Sequence, residues 1–328
     1  MEKAKFDVKG LLRNQQVILL LVLLAMAAFF TSQNSIFLTN AVFGNIISDW
    51  VPLVLIAIGE TYVIISGGID LSVGSAVGLS GIIAAFSMRY FTAHNVADNL
   101  SLFLGLLVSI AIGMVVGLIN GFLITRAKMV PFVSTLVTLG AARGLCIVLT
   151  SGGPIADGPS NTISLSVPRV GPFSYPGIGV LVLVVILGLF MHKARFGRYT
   201  FAIGSNAFAA RSAGINVNRH LMKVYLLSGA LAGIAGMYFY LRLGVGSPTS
   251  GQSGELNAIA AVVIGGASLS GGVGKLLGTA MGSLILVTVT SGLIIIGVAA
   301  NWNQVVVAIL IAAAVFSQGL RTLGKKNK

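Results

Sequence analysis

Residues 192–223 read HKARFGRYTFAIGSNAFAARSAGINVNRHLMK, a polar segment that separates two long apolar runs. It contains no Asp or Glu, and its basic residues are Lys193, Arg195, Arg198, Arg211, Arg219 and Lys223. So many uncompensated charges cannot lie in hydrocarbon, and loops rich in Lys and Arg face the cytoplasm in membrane proteins. The segment therefore predicts a membrane protein whose largest cytoplasmic feature is a basic loop, residues 193–221.

The rest of the chain is apolar enough to cross a membrane many times. Of its 328 residues, 56% are hydrophobic and only 9% are charged, whereas soluble domains average about 25% charged residues. The mean hydropathy is +0.97. The net charge of +13 resides in the loops on one side of the membrane, so it does not indicate nucleic-acid binding.

Apolar runs of about 20 residues, the length of a transmembrane helix, predict an all-α polytopic fold with ten spans. The first run resembles a signal peptide but has no good cleavage site, so we interpret it as an uncleaved span. Residues 255–271 are rich enough in small residues to be re-entrant instead. Residues 32–49 look like an amphipathic stretch at the interface. The predicted spans are residues 16–36, 50–67, 71–89, 100–124, 131–150, 174–192, 222–242, 255–271, 276–298 and 302–319.

The basic residues orient these spans. With ten spans and both termini in the cytoplasm, all but four of the 21 basic residues fall in cytoplasmic segments. Arg89, Arg169 and Arg242 fall outside, and Arg143 lies within a span. An odd number of spans before residue 193 would remove this asymmetry, so both termini are expected in the cytoplasm.

Within the basic loop, residues 207–214 read AFAARSAG and predict a short helix that ends at a glycine. A short exposed helix on the cytoplasmic side is well suited to docking a soluble partner. A solvated loop that only obeys the positive-inside rule explains the composition equally well.

The chain lacks the motifs of an enzyme. It has no GxxxxGK[ST] phosphate loop, so transport driven by ATP would need an ATPase on another chain. Its three histidines form no HExxH motif and no GxSxG nucleophile elbow occurs. The single cysteine, Cys146, makes a thiolate metal site implausible. We therefore expect no catalytic residue, no metal site and no cofactor.

Three charged residues fall where charge is expensive. A carboxylate such as Glu60 near the bilayer centre costs a few kcal/mol and faces protein or a water-filled path. By depth, the nearest counter-charge for Glu60 is Arg143, which favours a structural ion pair over a role in the path. Asp70 follows in a Gly-Gly-Ile-Asp turn, where capping the next helix is the ordinary role.

The candidate path residues are Glu60, Asp70, Asn257, Asn301 and Gln304, since a neutral, hydroxyl-rich solute needs polar groups along its route. Glycines at four-residue spacing predict close helix packing; they are Gly113, Gly117 and Gly121 in the fourth span and Gly274, Gly278 and Gly282 in the ninth. Residues 67–74 (GGIDLSVG) also echo residues 265–272 (GGASLSGG), as expected of a transporter repeat or of two unrelated tight turns.

Four stretches, in the same order, resemble the permease subunits of bacterial ribose-type sugar ABC importers, in the branched-chain-amino-acid/ribose permease superfamily. The resemblance covers essentially the whole chain. The four stretches are ISGGIDLSVGS (65–75), GLINGFLITRAKMVPFVSTLVTLG (117–140), FGRYTFAIGSNAFAARSAGI (196–215) and ELNAIAAVVIGGASLSGGVGKLLGT (255–279).

The resemblance implies one transmembrane permease domain over residues 1–328, with a type II-like importer fold, in the bacterial cytoplasmic membrane. It implies a second permease copy, identical or closely similar, and a separate ATP-binding cassette subunit. A periplasmic or lipid-anchored sugar-binding protein would deliver a monosaccharide such as ribose, and membrane lipid would surround the spans. Nucleoside or amino-acid transport, and a self-sufficient secondary transporter, remain alternatives.

The resemblance also assigns the short cytoplasmic helix to ATPase coupling. The residues concerned are Asn206, Phe208, Ala209, Ala210, Arg211, Gly214 and Ile215. The family commonly has Glu-Ala-Ala at the start of this helix, whereas here Phe208 takes the place of the acid. Docking is therefore expected to depend more on apolar packing by Phe208.

Overall fold

The computed structural model describes residues 14–299, 301–302, 304–310, 312–313 and 316. A 3₁₀ turn, Ser35–Leu38, joins the first two helices. The α-helices up to residue 299 are α1 Gln15–Gln33, α2 Asn40–Ile65, α3 Val73–Ala93, α4 Asp98–Thr125, α5 Pro131–Thr150, α6 Thr162–Ser166, α7 Tyr175–Lys193, α8 Arg195–Ser205, α9 Ala207–Ser212, α10 Val217–Leu243, α11 Gly254–Ile264 and α12 Leu276–Ile295.

Eight of these helices are long and apolar enough to cross a membrane: α1, α2, α3, α4, α5, α7, α10 and α12. Each coincides with a predicted span, so the expected all-α, multi-pass fold is confirmed. The described residues of the predicted tenth span are helical, and the remainder of that span lies outside the described residues. The predicted positions of both termini also lie outside them.

Helices α2 and α10 form the centre of the bundle. Helix α10 packs against α2, α3 and α4, and α2 packs against α11 and α12. Trp50 fixes one of these contacts, because its indole N–H donates to the Ser283 hydroxyl at 2.8 Å and to the Ala280 carbonyl at 3.1 Å. These pairings place the middle of α2 between the helices that surround the candidate site.

The predicted glycine seams mediate close packing. A Cβ at Gly113 or Gly117 would collide with backbone atoms of α10, so the α4–α10 contact requires glycine at both positions. In α12, a Cβ at Gly278 or Gly282 would likewise collide with backbone atoms at the C-terminal end of α11. Gly274 does not belong to this face, because it precedes the first residue of α12 and packs on the Ile65 side chain.

The second span begins earlier than predicted. Helix α2 starts at Asn40, with the Thr39 hydroxyl accepting from the Val42 N–H, and Pro52 lies inside it. Residues 40–49, which the sequence places at the interface, form the first turns of this helix. Proline within the apolar run did not end the helix, since neighbouring helices and lipid favour continued backbone pairing.

The eighth predicted span is broken. Helix α11 has 11 residues, about 16 Å, which is too short to cross hydrocarbon alone. The segment before it, residues 244–253, runs along α3: Gly246 lies beside Ile82 and Ala85, and Gly251 lies beside Val77. Helix α11 therefore covers only the first part of the span predicted over residues 255–271, and the glycine-rich remainder forms turns. A turn-rich segment precedes α11, because its glycine, proline and serine residues favour turns.

Candidate translocation site and coupling helix

Arg143 on α5 holds the turn-rich half of the broken crossing. Its guanidinium Nη1 donates to the Pro248 carbonyl at 2.7 Å and to the Ser250 carbonyl at 3.0 Å. Unpaired carbonyls at membrane depth require such a donor. The predicted pairing of Arg143 with Glu60 was wrong: within the described residues the only ion pair joins Arg242 and Asp49, at 2.9 Å. The predicted depth of Arg143 in the membrane did not reveal that its guanidinium would bond backbone carbonyls instead of Glu60.

A cavity of about 360 Å³ opens beside this segment, where α11 begins. Apolar residues of α2, α10 and α12 form most of its wall. Polar side chains line much of the rest, from Asp49, Thr249, Ser250, Gln252, Asn257, Thr290 and Ser291. Apolar walls with a few convergent polar groups are typical of small-molecule sites. Discontinuous helices lie at the solute sites of many transporters.

The cavity contains one of the predicted path residues. Asn257 on α11 lines it, and the side-chain amides of Asn257 and Gln252 accept or donate no hydrogen bond within the described residues. Both amides are therefore free to bond a solute. Asn301 and Gln304 are exposed and lie outside the lining, although Val307 contributes to it.

Sequence reasoning missed several lining groups. Asp49 lay in the stretch interpreted as interfacial, and its carboxylate is neutralised by Arg242, which is anchored at the end of α10. Thr290 and Ser291 are small hydroxyl residues within an apolar span, and such residues also bond their own helix backbone, as Thr290 does with Leu286 at 3.0 Å. No sequence signal distinguishes a hydroxyl that lines a cavity from one that bonds its own helix backbone.

Glu60 and Asp70 lie elsewhere, in a buried polar cluster that does not line the cavity. They are 0% and 1% exposed. The Asp70 N–H donates to the Glu60 Oε1 atom at 3.1 Å. The proximity of two acids that are ten residues apart follows from the turn after α2, which brings Asp70 back alongside the helix that carries Glu60.

The Asp70 carboxylate is the acceptor at the centre of this cluster. Its Oδ1 atom accepts from the Ser72 N–H at 3.0 Å, the Ser72 hydroxyl at 2.6 Å and the Asn120 amide at 3.3 Å. Its Oδ2 atom accepts from the Ser228 hydroxyl at 3.1 Å. The predicted capping of α3 by Asp70 was wrong: Ser72 is the residue before the helix, and no side chain caps the first turn of α3. The Asp70 carboxylate instead holds the turn that precedes α3 and ties α4 and α10 to it.

Helix α9, the predicted coupling helix, has the local structure that its sequence predicts. The Asn206 side chain caps it by accepting from the Ala209 N–H at 2.9 Å. Gly214 ends it with a φ of +83°, a left-handed conformation suited to glycine. Phe208 is 80% exposed, and Ala209 and Arg211 are also exposed.

The inner face of α9 is buried. Ala210 packs with Ile203 and Val217 in a small cluster, and Ile215 lies against it. Helix α8, which sequence reasoning treated as loop, precedes α9 directly and supplies Ile203. The predicted coupling residues therefore divide into an exposed set around Phe208 and a set that holds the helix in place.

Comparison with known proteins identifies the family. The family described as "Branched-chain amino acid transport system / permease component" matches residues 42–315. The chain belongs to this permease family. The permease is 44% identical over 264 residues to the ribose import permease protein RbsC of Bacillus subtilis, covering 80% of this chain and 79% of that one.

Two further relatives cover nearly the whole permease. The ribose import permease protein RbsC of Escherichia coli K12 is 36% identical over 321 residues, covering 94% of each chain. The autoinducer 2 import system permease protein LsrC of Enterobacter sp. strain 638 is 33% identical over 311 residues, covering 95% of this chain and 88% of that one.

In this permease the two echoed glycine turns share one structure. Gly67 and Gly266 both have a φ of +88°. The N–H groups of Gly68 and Ala267 each donate five residues back, to Val63 at 3.0 Å and to Val262 at 3.1 Å. The structural correspondence is shifted by one residue from the sequence alignment of 67–74 with 265–272, because Gly67 matches Gly266 and not Gly265.

These turns meet the end of α8. The Gly272 N–H donates to the Ile65 carbonyl at 2.9 Å, and a Cβ at Gly204 would collide with that same carbonyl and with the Gly272 nitrogen. The last turn of α8, directly before α9, thus rests on the end of α2 and on the turn that follows α11.

Proposed function

We propose that this permease is the membrane-spanning subunit of an ATP-binding-cassette importer for a ribose-like monosaccharide in the bacterial cytoplasmic membrane. Similarity to ribose import permeases along 80–94% of the chain carries the proposal. ATP is hydrolysed by a separate subunit, and the permease itself performs no covalent chemistry.

The cavity beside α11 supports a neutral polyhydroxylated solute. Its uncommitted amides, Gln252 and Asn257, and its hydroxyl residues suit the hydroxyl groups of a sugar. Asp49 is paired with Arg242, so the site presents little net charge. An amino acid would require separate partners for its ammonium and carboxylate groups, which makes the amino-acid alternative the weaker one.

The partners follow from the two ends of the bundle. The ATP-binding subunit docks on the exposed face of α9 around Phe208, with the termini and loop 193–221 on the same cytoplasmic side. A solute-binding protein docks on the opposite end. A second permease copy completes the path, and residues 1–328 act as one permease domain.

The glycine contacts suggest how ATP binding reaches the cavity. Closure of the ATPase dimer displaces α9 and, through α8, the ends of α2 and α11. Both helices contribute to the cavity wall, so the displacement changes access to it. Because a ligand shifts a conformational equilibrium only by binding its states unequally, the solute-binding protein must favour the outward-facing arrangement.

Uptake by purified components tests this proposal. The permease is reconstituted in liposomes with its neighbouring ATPase and binding protein, and labelled ribose is counted inside the vesicles. We expect uptake with ATP and none with a non-hydrolysable ATP analogue, whether or not an ion gradient is imposed. Uptake on an ion gradient without ATPase would instead establish a secondary transporter.

The relatives that import autoinducer 2 supply a second candidate solute. Competition distinguishes it: unlabelled autoinducer 2, amino acids and nucleosides are each added in excess to the labelled ribose assay. A ribose importer is inhibited by unlabelled ribose alone. Uptake of labelled autoinducer 2 without uptake of labelled ribose by the same components would assign the permease to that solute.

A further inference from the structure

A pocket of about 250 Å³ lies between α8 and the first turns of α10, away from the solute cavity. Arg195 lines it from α8, and Arg219 and Lys223 line it from α10. Tyr199 and Asn216 add a phenol and an amide. Cations from two separate elements therefore converge on one concave site.

The chain supplies no anion to this pocket. Between Asp157 and Glu255 the sequence has no Asp or Glu, and no described ion pair involves Arg195, Arg219 or Lys223. His220 forms part of the floor, where its Nε2 atom shares a hydrogen bond of 2.9 Å with the Thr200 hydroxyl. A positive-inside loop explains the presence of cations, but it does not require them to surround a pocket.

The depth of the pocket in the membrane indicates which class of anion it would meet. Residues 224–241 are apolar apart from Ser228 and the tyrosines and rise about 27 Å as a helix, close to the thickness of the hydrocarbon. Lys223 immediately precedes that stretch. Arg195 follows the end of α7 at Lys193 by two residues. The pocket therefore opens at the level of the phosphates of the inner leaflet.

We propose that this pocket binds the phosphate of an anionic phospholipid. Arg195, Arg219 and Lys223 surround the phosphate, and Tyr199 donates a further hydrogen bond. Phe196 lies beside His220 at the pocket wall, with ring centroids 4.7 Å apart, and offers apolar surface to the start of the acyl chains. A bound lipid links α8, which carries the coupling helix, to α10.

Native mass spectrometry of the full permease tests the proposal. The detergent-solubilised chain is mixed with equal amounts of phosphatidylglycerol and phosphatidylcholine, and the ratio of bound lipids is measured. The pocket variants are Arg219→Gln and Lys223→Gln. The controls are Lys193→Gln and Arg198→Gln, which remove the same charge from the same loop but lie outside the pocket lining.

We expect the wild type to prefer phosphatidylglycerol and each pocket variant to lose roughly fivefold of that preference, with the controls unchanged. Equal losses in pocket and control variants would show that lipid preference depends only on general surface charge, and would contradict a specific site. So would displacement of the lipid by millimolar inorganic phosphate.

Co-purification of the ATPase provides the second readout, since an acidic protein surface is the competing occupant. The proposal requires the pocket variants to retain the ATPase at wild-type levels in detergent. Variants that keep the lipid preference but release the ATPase would assign the pocket to that partner and contradict the lipid site.

Discussion

The Gly272 N–H donates to the Ile65 carbonyl oxygen at 2.9 Å, and so joins the turn that follows the broken crossing to the end of α2. Gly204 of α8 packs against the same carbonyl. Three chain segments thus meet at one backbone oxygen, next to the helix proposed to contact the ATPase. A contact built from backbone atoms cannot adjust by changing side-chain rotamers.

Gly204→Ala should therefore uncouple ATP hydrolysis from uptake. The new methyl group overlaps the Ile65 carbonyl, and overpacking of this kind costs about 1–3 kcal/mol, so α8 must shift. We expect ATP-dependent uptake to fall on the order of tenfold at equal membrane levels. Gly140→Ala is the control, because nothing lies within 4 Å of a Cβ at that position; equal uptake by the two variants would refute the coupling role of the contact.

Phe208→Ala should release the ATPase. An aromatic side chain that is 80% exposed in the free permease is costly in water and serves as an anchor when covered. We expect at least tenfold less co-purified ATPase. Tyr90→Ala removes an aromatic that is 60% exposed at the opposite end and should change nothing. Substitution of Ala210 is less informative, because Ala210 lies on the buried face of α9 and its loss also disturbs the helix itself.

Asn257→Ala and Gln252→Ala should weaken solute binding in the cavity. Each removes a hydrogen-bonding amide worth about 1 kcal/mol, so the KM for uptake should rise roughly fivefold per substitution while the amount of permease in the membrane is unchanged. Leu256→Ala, at an exposed position outside the lining, is the control. An unaltered KM in both amide variants would show that the solute does not bind these amides.

Arg143→Gln should loosen the turn-rich half of the broken crossing. Two charge-assisted hydrogen bonds to buried carbonyls are lost, each worth about 1.5–3 kcal/mol, so the melting temperature of the purified permease should drop. Combination with Glu60→Gln distinguishes the observed geometry from an ion pair. The two effects should add; a coupling energy above about 1 kcal/mol in the double-mutant cycle would restore the ion pair predicted from sequence.

Periodicity and charge were sufficient to predict the class, eight spans and the short helix ending at Gly214, since each depends on local chemistry or on the length of an apolar run. The break before α11 was harder to predict. Residues 255–264 alone look like part of a span, and only the packing of residues 244–253 on α3 shows that backbone crosses there without a helix.

The candidate site was predicted in part. Asn257 was found because an amide in an apolar span is conspicuous, whereas Asp49 and Thr290 resemble ordinary loop and helix residues. Arg143 was misassigned because sequence gives the depth of a charge and not the direction of its side chain. Its actual acceptors, the carbonyls of Pro248 and Ser250, carry no sequence signal.

The two acids of the buried cluster, Asp70 and Glu60, differ in how many hydrogen bonds they accept, and isosteric substitutions can test whether that difference matters. Asp70 accepts four hydrogen bonds, whereas Glu60 accepts one, from the Asp70 N–H. Asp70→Asn places an NH₂ group against donors in a buried site, at a cost of about 1–3 kcal/mol for each group left unpaired. Glu60→Gln retains a carbonyl oxygen for the Asp70 N–H.

We therefore expect Asp70→Asn to lower the melting temperature and the yield of folded permease far more than Glu60→Gln does. Uptake per folded molecule should remain near wild type for Glu60→Gln, because Glu60 is fully buried and does not line the cavity. Equal destabilisation by the two substitutions would contradict the central position of Asp70. Loss of uptake by a stable Glu60→Gln permease would instead return Glu60 to the path, since a structural role alone leaves transport by the folded protein intact.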